Sequence, residues 1–169
     1  MSISFLSIQG SFGPVEIGLF QANKLLDQSI EHGSKASSHL IPLIDNILAK
    51  NNLALKDLEF IAVDKGPGAF TTLRVTIATL NGIGFATKIP LVGVDGLEVL
   101  CQQVVKTQTV EQNHPSYLAA LLNAYGNDVY GCIFEIDYTS PQAKLNRMFF
   151  YGCENIKNFI DNLDQISTG

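Results

Sequence analysis

The chain has 169 residues, of which 46% are apolar and 16% charged, and its 11 basic and 16 acidic side chains give a net charge of −5 at pH 7. An apolar fraction of this size can build a core, which excludes an intrinsically disordered chain. The length suits one compact domain or two small lobes. Because the net charge repels phosphate and Lys and Arg do not cluster, we do not expect direct binding to RNA.

Short stretches of the sequence argue against two further classes of protein. The longest uncharged helical run, residues 75–87, is shorter than the roughly 20 residues of a membrane-spanning helix. The first basic residue is Lys24, so the start of the chain lacks the basic region of a secretory signal. Cys101, Cys132 and Cys153 are widely spaced and odd in number, which favours three buried free thiols in a reducing, cytoplasmic setting.

The first third of the chain predicts three strands and a helix. Residues 3–8 are rich in β-formers, residues 15–20 alternate apolar and polar, and residues 25–30 complete an antiparallel meander. Ser37 and Ser38 offer N-cap hydroxyls for a first helix that ends before the Asn-Asn pair at 51–52. Apolar residues recur in this helix at helical spacing: Leu40, Leu43, Ile44, Ile47 and Leu48.

The next segment alternates strands with helices. A short apolar strand at 58–63 is followed by the turn Gly66-Pro67-Gly68 and by a second helix at 70–87. A strand at 91–94 and a third helix at 96–105 follow. This alternation predicts a layered α/β domain with parallel strand pairing, and the meander at the front makes the sheet mixed.

The remainder predicts a thinner second lobe. Strands are expected at 117–122 and 129–136, around a turn, with a further strand at 148–151. Ile156, Phe159, Ile160 and Leu163 form the apolar stripe of a last helix. The predicted organisation is a first lobe at 1–105, a polar linker or loop at 106–116 and a shortened second lobe at 117–169.

A motif beside the second helix resembles a known family. Residues 66–74 resemble the signature Gly-Pro-Gly-Ser-Phe-Thr-Gly-Leu-Arg of the TsaB (YeaZ) family, with Ala69 in place of Ser and Thr72 in place of Gly. The resemblance extends along most of residues 1–137. It implies an actin-like (ribonuclease-H-like) α/β fold, with a mixed sheet flanked by helices and a short second lobe.

The resemblance also implies a function. Members of the family are non-catalytic subunits in the bacterial synthesis of threonylcarbamoyladenosine in tRNA. The implied partners are the catalytic relative TsaD and the ATPase TsaE, with a homodimer when the chain is alone. We expect only indirect contact with tRNA, no membrane contact, no metal and no cofactor.

Several positions depart from the family pattern. Gln9 and Gly10 stand where the family has Asp-Thr, Ala36 stands where a His is common, and Asn123-Ala124-Tyr125 replaces Asp-Ala-Arg. Each exchange removes a charge or a group that can bind a metal. Since phosphoryl transfer needs carboxylates to hold Mg²⁺, we expect the chain to be inactive as an enzyme.

The glycine turn is a candidate anion site. A strand, the turn at Gly66 and Gly68 and a helix start bring free backbone N–H groups to one point, and Arg74 lies close by in sequence. The alternative is a tight turn that simply needs two glycines. The phosphate-binding pattern GxxxxGK[ST] is absent. Asp64 is the best remaining carboxylate, and His32, His39 and His114 are scattered without metal-ligand spacing.

The second helix predicts contacts on two sides. Ile77, Leu80 and Gly84 each lie within about 40° of Leu73 and form a core stripe with it. The opposite side is small and neutral, which permits another helix to approach closely. That second element could belong to the same chain or to a partner, and the family resemblance favours a partner. The predicted interface comprises Thr71, Val75, Ala78, Thr79, Gly82, Phe85 and Ala86.

Three functions therefore stay open. The leading one is a scaffold that pairs with TsaD or dimerises through its two adjacent helices. The second is an actin-like ATP-dependent transferase or ATPase, with phosphate at the glycine turn. The third is a diverged regulatory homodimer outside the tRNA pathway, favoured by the substitutions at Gln9, Ala36, Thr72, Asn123 and Tyr125.

Overall fold

A computed structural model describes the chain at residues 3–11, 13–32, 39–107, 116–139 and 143–168. The contacts divide the chain into two compact units, Met1–Asp95 and Gly96–Gly169. The third helix is grouped with the second unit in this division, and the lobes expected from the sequence, with a linker at 106–116, stay a prediction. Within the described residues, no helix is long and apolar enough to cross a membrane.

The first unit contains a five-stranded mixed sheet. Its strands are β1 (Ser4–Gln9), β2 (Val15–Gln21), β3 (Lys24–Glu31), β4 (Phe60–Asp64) and β5 (Leu91–Val94), in the order β3-β2-β1-β4-β5. The first three strands pair antiparallel, whereas β4 runs parallel to β1 and β5 runs parallel to β4. The predicted meander and the predicted parallel pairing are both confirmed.

Two helices supply the other half of the first core. They are α1 (Leu40–Lys50) and α2 (Phe70–Thr87), and a short 3₁₀ turn at Leu55–Asp57 lies between them in sequence. Alternate residues of the central strands are buried because successive side chains of a strand point to opposite faces. The core joins these residues to both helices: Leu6, Ile8, Val15, Ile17, Leu19, Ile61 and Val63 from the sheet, and Leu40, Ile44, Ile47, Leu48 and Leu80 from the helices.

The start of α1 differs from the prediction. The helix begins at Leu40, and His39 at the N-cap position makes no side-chain capping hydrogen bond. Ser37 and Ser38, the predicted caps, lie outside the described residues. The apolar positions of α1 behave as expected, since Leu40, Ile44, Ile47 and Leu48 are buried.

The second unit is a three-stranded antiparallel sheet with two helices. Its elements are α3 (Gly96–Thr107), β6 (Ser116–Tyr125), β7 (Asp128–Asp137), β8 (Lys144–Asn155) and α4 (Ile156–Thr168), with the strand order β6-β7-β8. Alternate residues of β7 face different clusters, because Cys132 and Phe134 pack with α3 while Val129 and Ile133 pack with Phe159 of α4.

The cysteines only partly follow the expectation of burial. Cys101 of α3 and Cys132 of β7 are buried, with their Sγ atoms 3.6 Å apart. Cys153 in β8 is exposed, so the prediction of three buried thiols is wrong for this residue. The reason is positional: β8 pairs with β7 alone in its sheet, and much of this strand faces solvent.

Candidate functional site

Helix α2 is fixed to the sheet by a narrow buried stripe. Leu73, Thr76 and Leu80 are buried, and Ile77 and Ile83 are partly buried against the first core. The predicted core stripe is therefore right at Leu73 and Leu80. It misses Thr76, whose polar side chain gave no sign of burial.

Thr76 is buried against Gly10, the residue directly after β1, which has no side chain to occupy the space. A Cβ atom on Gly10 would lie 3.2 Å from Thr76 Oγ1 and 3.2 Å from Thr72 Cγ2, so the two threonines pack directly against the glycine backbone. Among the described residues, Thr76 Oγ1 has no hydrogen-bond partner.

The opposite side of α2 is exposed and largely apolar. Val75 is 38% exposed, Phe70 is 70% exposed and Phe85 is 80% exposed. A shallow groove of about 450 Å³ runs along this side, lined by Phe70, Thr71, Arg74, Val75, Ala78 and Thr79. The predicted interface residues lie here: Thr71, Val75, Ala78, Gly82, Phe85 and Ala86 are exposed, and Thr79 is half-buried. The structure thus brings these residues together on one accessible surface, and their role as an interface stays a prediction.

Two cations flank this surface. The Arg74 guanidinium carbon lies 5.1 Å from the centre of the Phe70 ring, and Lys88 Nζ lies 4.5 Å from the centre of the Phe85 ring. Contacts of this geometry are cation–π interactions. The sequence placed Arg74 beside the glycine turn. Lys88 is the left-handed residue directly after α2, and its separation of three residues from Phe85 is the one sequence signal for the second contact.

The glycine turn is closed by a carboxylate. Asp64 at the end of β4 accepts a hydrogen bond from the Gly66 N–H at 2.8 Å, a second from the Ser11 N–H at 3.2 Å and a third from the Ser11 hydroxyl. The Ala69 N–H donates to the Ser11 carbonyl at 3.1 Å. Asp64 therefore ties β4, the turn and the end of β1 together.

The turn requires glycine at positions 66 and 68 for two different physical reasons. Gly66 adopts φ +91°, a conformation that strains any residue with a Cβ atom. Gly68 lies so close to Ser11 that an added Cβ atom would be 2.5 Å from the Ser11 Cβ. Anion binding at Gly66, Gly68 and Arg74 stays a prediction, and the Gly66 N–H that would serve an anion already donates to Asp64.

The other positions that depart from the family pattern lie at strand ends. Gln9 ends β1 and is half-buried beside Glu16 of β2. In the second unit, Asn123 Oδ1 accepts the Tyr125 N–H at 2.8 Å, and Tyr125 is exposed at the β6–β7 hairpin. Ala36 lies outside the described residues.

Within residues 3–11, 13–32, 39–107, 116–139 and 143–168, no group of three or more His, Cys, Asp or Glu side chains could hold a metal ion. His39 Nδ1 lies 3.7 Å from a Glu31 carboxylate oxygen, His32 is exposed, and His114 falls outside these ranges.

Comparison with known proteins gives consistent relatives. Residues 31–145 match the family model described as TsaD, tRNA N6-adenosine threonylcarbamoyltransferase. Two proteins named tRNA threonylcarbamoyladenosine biosynthesis protein TsaB, both from Buchnera aphidicola, are similar to the chain. That of the Acyrthosiphon pisum subspecies is 26% identical over 106 residues, covering 63% of this chain and 48% of the relative. That of the Schizaphis graminum subspecies is 28% identical over 103 residues, covering 61% and 49%.

A solved structure shows the same fold. YeaZ from Pseudomonas aeruginosa superposes with a TM-score of 0.68 at 24% identity, covering 89% of this chain and 66% of that chain. The chain spans about half the length of the curated relatives that it matches.

Proposed function

Because this chain belongs to the TsaB (YeaZ) family, within the group that the TsaD family model describes, we propose that it is a non-catalytic subunit that pairs with a TsaD-like catalytic protein. The fold is the actin-like α/β fold of that group. The proposed process is threonylcarbamoyladenosine modification of tRNA, which the names of the relatives state for those proteins. The observation that carries the proposal is the exposed apolar side of α2.

The exposed side of α2 has the size and character of a docking surface. An 18-residue helix is about 27 Å long, so one side of it offers part of the roughly 800 Å² that each partner buries in a standard interface. Helix α1 contacts α2 and adds the exposed apolar side chain of Ile41. Both helices together can therefore supply a stable contact, and both lie in the first unit.

The polar groups of the glycine turn support a non-catalytic role. The Asp64 carboxylate is hydrogen-bonded to Ser11 and Gly66, which gives it a structural task. Gln9 and Asn123 carry neutral amides at positions where the family pattern has aspartates. Neutral amides neither hold Mg²⁺ well nor take up a proton, so chemistry is assigned to the partner.

The remaining partners follow from this role. A TsaE-like ATPase would join the pair, tRNA would be bound chiefly by the partner, and the complex would act in the cytoplasm. The residues proposed to make the contact, on α1 and α2, lie in the first unit.

The test is association of α2 variants with the TsaD relative of the same organism. Ala78→Arg and Gly82→Arg place a long cation in the exposed side of α2, where both residues are accessible. We expect either variant to keep its circular dichroism spectrum and to lose co-purification with the partner. Ala54→Arg makes the same chemical change at an exposed residue outside α1 and α2 and should still co-purify.

Three outcomes would contradict parts of the proposal. Co-purification of both α2 variants would show that the interface lies elsewhere. If the chain forms a homodimer and no complex with the TsaD relative, a regulatory role outside the pathway is favoured. ATP hydrolysis that disappears in Asp64→Asn would favour an actin-like ATPase.

A further inference from the structure

Two free cysteines meet inside the second unit. Cys101 lies in the buried stripe of α3, between Leu97 and Val105, and Cys132 lies in the central strand β7. Their Sγ atoms are 3.6 Å apart, and the two residues are 1% and 0% exposed. Ala120 of β6 is the cross-strand neighbour of Cys132, and its small side chain lets α3 approach the sheet closely at this point. The fold thus brings together two thiols that are 31 residues apart in sequence.

The pair occupies the centre of a small hydrophobic cluster. Among the described residues, the buried apolar side chains of the second unit form two separate clusters, one against α3 and one against α4. The cluster against α3 consists of Leu97, Cys101, Cys132 and Phe134, with partly buried side chains around it. Small side chains such as cysteine remove less apolar surface from water than Leu or Phe would. A covalent bond between these two sulfur atoms would therefore reinforce the contact between α3 and the sheet.

The surroundings of the pair keep it uncharged. The hydrogen bond with Cys132 and, after it, burial raise the pKa of the Cys101 thiol well above its ordinary value. A nucleophilic or metal-binding cysteine needs its thiolate form at rest, and this environment disfavours that form at neutral pH. Disulfide formation needs a thiolate only transiently, and it replaces both thiols with a neutral bond. The environment therefore suits a disulfide better than a thiolate.

We propose that Cys101 and Cys132 form a dithiol site that a low-molecular-weight disulfide oxidises to a bond between α3 and β7. One cysteine thiolate attacks the small disulfide, forms a mixed disulfide with it and releases one small thiol. The other cysteine thiolate attacks the mixed disulfide and releases the second small thiol. The protein loses two thiol hydrogens and two electrons, and the small disulfide is reduced to two thiols. The Sγ atoms must approach by about 1.5 Å to reach bonding distance, which rotation of both side chains can supply.

The bond would stabilise the folded second unit. It closes a loop of about 30 residues, and the entropy lost by the unfolded chain for such a loop corresponds to a factor of several hundred in the folding equilibrium. Adjustment of the two side chains in the folded state takes part of this gain, so we expect about a hundredfold. Because the thiols are buried, the small disulfide reaches them only when α3 opens locally. Both cysteines lie in the second unit, so this inference is independent of the pairing proposed for α2.

The test uses the Cys153→Ser variant, which removes the exposed thiol. Cys101 and Cys132 are then the two remaining cysteines, so an intramolecular disulfide must join them. The variant is equilibrated with mixtures of reduced and oxidised glutathione, starting from the reduced chain and from the oxidised chain. The oxidised fraction is measured by alkylation and mass spectrometry, in buffer and in urea. We expect the formation constant of the bond to be about a hundredfold larger in the native protein than in urea.

The same factor must appear in the stability of the protein. Since the bond forms in both the folded and the unfolded chain, the ratio of the two formation constants equals the gain in the folding equilibrium constant. A hundredfold gain corresponds to about 2.7 kcal/mol. At a denaturant dependence of about 2 kcal/mol per molar, the oxidised chain should unfold at about 1.4 M more urea than the reduced chain. Cys101→Ala/Cys153→Ser and Cys132→Ala/Cys153→Ser are the controls, and oxidised glutathione should leave the unfolding midpoint of either unchanged.

The possible outcomes are distinct. A native Cys153→Ser chain that stays reduced in mixtures that oxidise the chain in urea would show that the proposal is wrong. Equal formation constants in buffer and in urea would contradict it as well, because the fold would then contribute nothing to the bond. A native bond that forms as expected but lowers the unfolding midpoint would show that α3 must leave its place to form it, which also overturns the proposal.

Discussion

The two-sided character of α2 predicts a sharp contrast between two truncations, Leu80→Ala and Val75→Ala. Leu80 is 0% exposed and belongs to the first core, whereas Val75 is 38% exposed on the opposite side of the same helix. Removing three buried carbons at Leu80 forfeits about 2.4 kcal/mol of transfer free energy at roughly 0.8 kcal/mol per group. The cavity that remains adds to this, so the expected loss of unfolding free energy is about 3 kcal/mol.

The Val75→Ala variant serves as the matched control. Two partly solvated methyl groups are lost there, at a cost of about 1 kcal/mol. The higher helix propensity of alanine returns roughly half of that, so the net loss is about 0.5 kcal/mol. The contrast between the variants is therefore about 2.5 kcal/mol, and it depends only on which side of α2 faces the sheet.

Urea unfolding followed by far-ultraviolet circular dichroism measures the contrast. With a denaturant dependence of about 2 kcal/mol per molar urea, Leu80→Ala should lower the unfolding midpoint by about 1.5 M and Val75→Ala by about 0.25 M. Equal midpoints for the two variants would refute the orientation of α2, and with it the exposed surface on which the proposed pairing rests.

Three further outcomes are expected. Gly68→Ala should destabilise the chain by about 1–3 kcal/mol in the same assay, because the new Cβ would lie 2.5 Å from the Ser11 Cβ, and an unchanged midpoint would refute this close packing. The Lys50 ammonium holds the pKa of Asp27 below its ordinary value, so the Asp27 carboxylate stabilises the fold above about pH 4 and this stabilisation is lost as pH falls through the lowered pKa. Asp27→Asn should therefore reduce the loss of unfolding free energy between neutral and acid pH. An unchanged dependence of the unfolding free energy on pH would contradict the assignment. Cys153 should react with a thiol reagent in the native protein well before the other two cysteines, which are buried, and equal reaction rates would contradict their placement.

The elements of the first unit could be predicted closely because their boundaries are marked in the sequence. Helix α2 was expected at 70–87 and is observed at Phe70–Thr87, since the turn Gly66-Pro67-Gly68 fixes its start and the left-handed Lys88 ends it. The meander was expected because apolar and polar residues alternate in β1 and β2, and only one side of those strands is buried.

The second unit was harder to predict because its sheet is covered on both faces. β8 was expected at 148–151 and extends over Lys144–Asn155, because polar residues such as Asn146 and Arg147 fill positions that the pattern assigns to loops. Asn146 instead donates its side-chain amide to Glu135 across the strand pair at 3.0 Å. Pairing with β7, a contact distant in sequence, holds these residues in the sheet.

The sequence also predicted only part of the candidate site. Helical spacing was enough to place Val75, Ala78 and Gly82 on one exposed side of α2, because that prediction depends only on the period of the helix. The burial of Thr76 depends on the missing Cβ atom of Gly10, and the closure of the glycine turn depends on Ser11 reaching Asp64. These contacts join segments that are far apart in sequence, so a single sequence does not reveal them.

The most direct test of the central claim is the mass of the complex. The chain is co-expressed with the TsaD relative of its own organism, and the product is analysed by size-exclusion chromatography with light scattering. The proposed pairing predicts a stable one-to-one complex that the Ala78→Arg variant does not form. A homodimer that elutes apart from an unbound TsaD relative would contradict it.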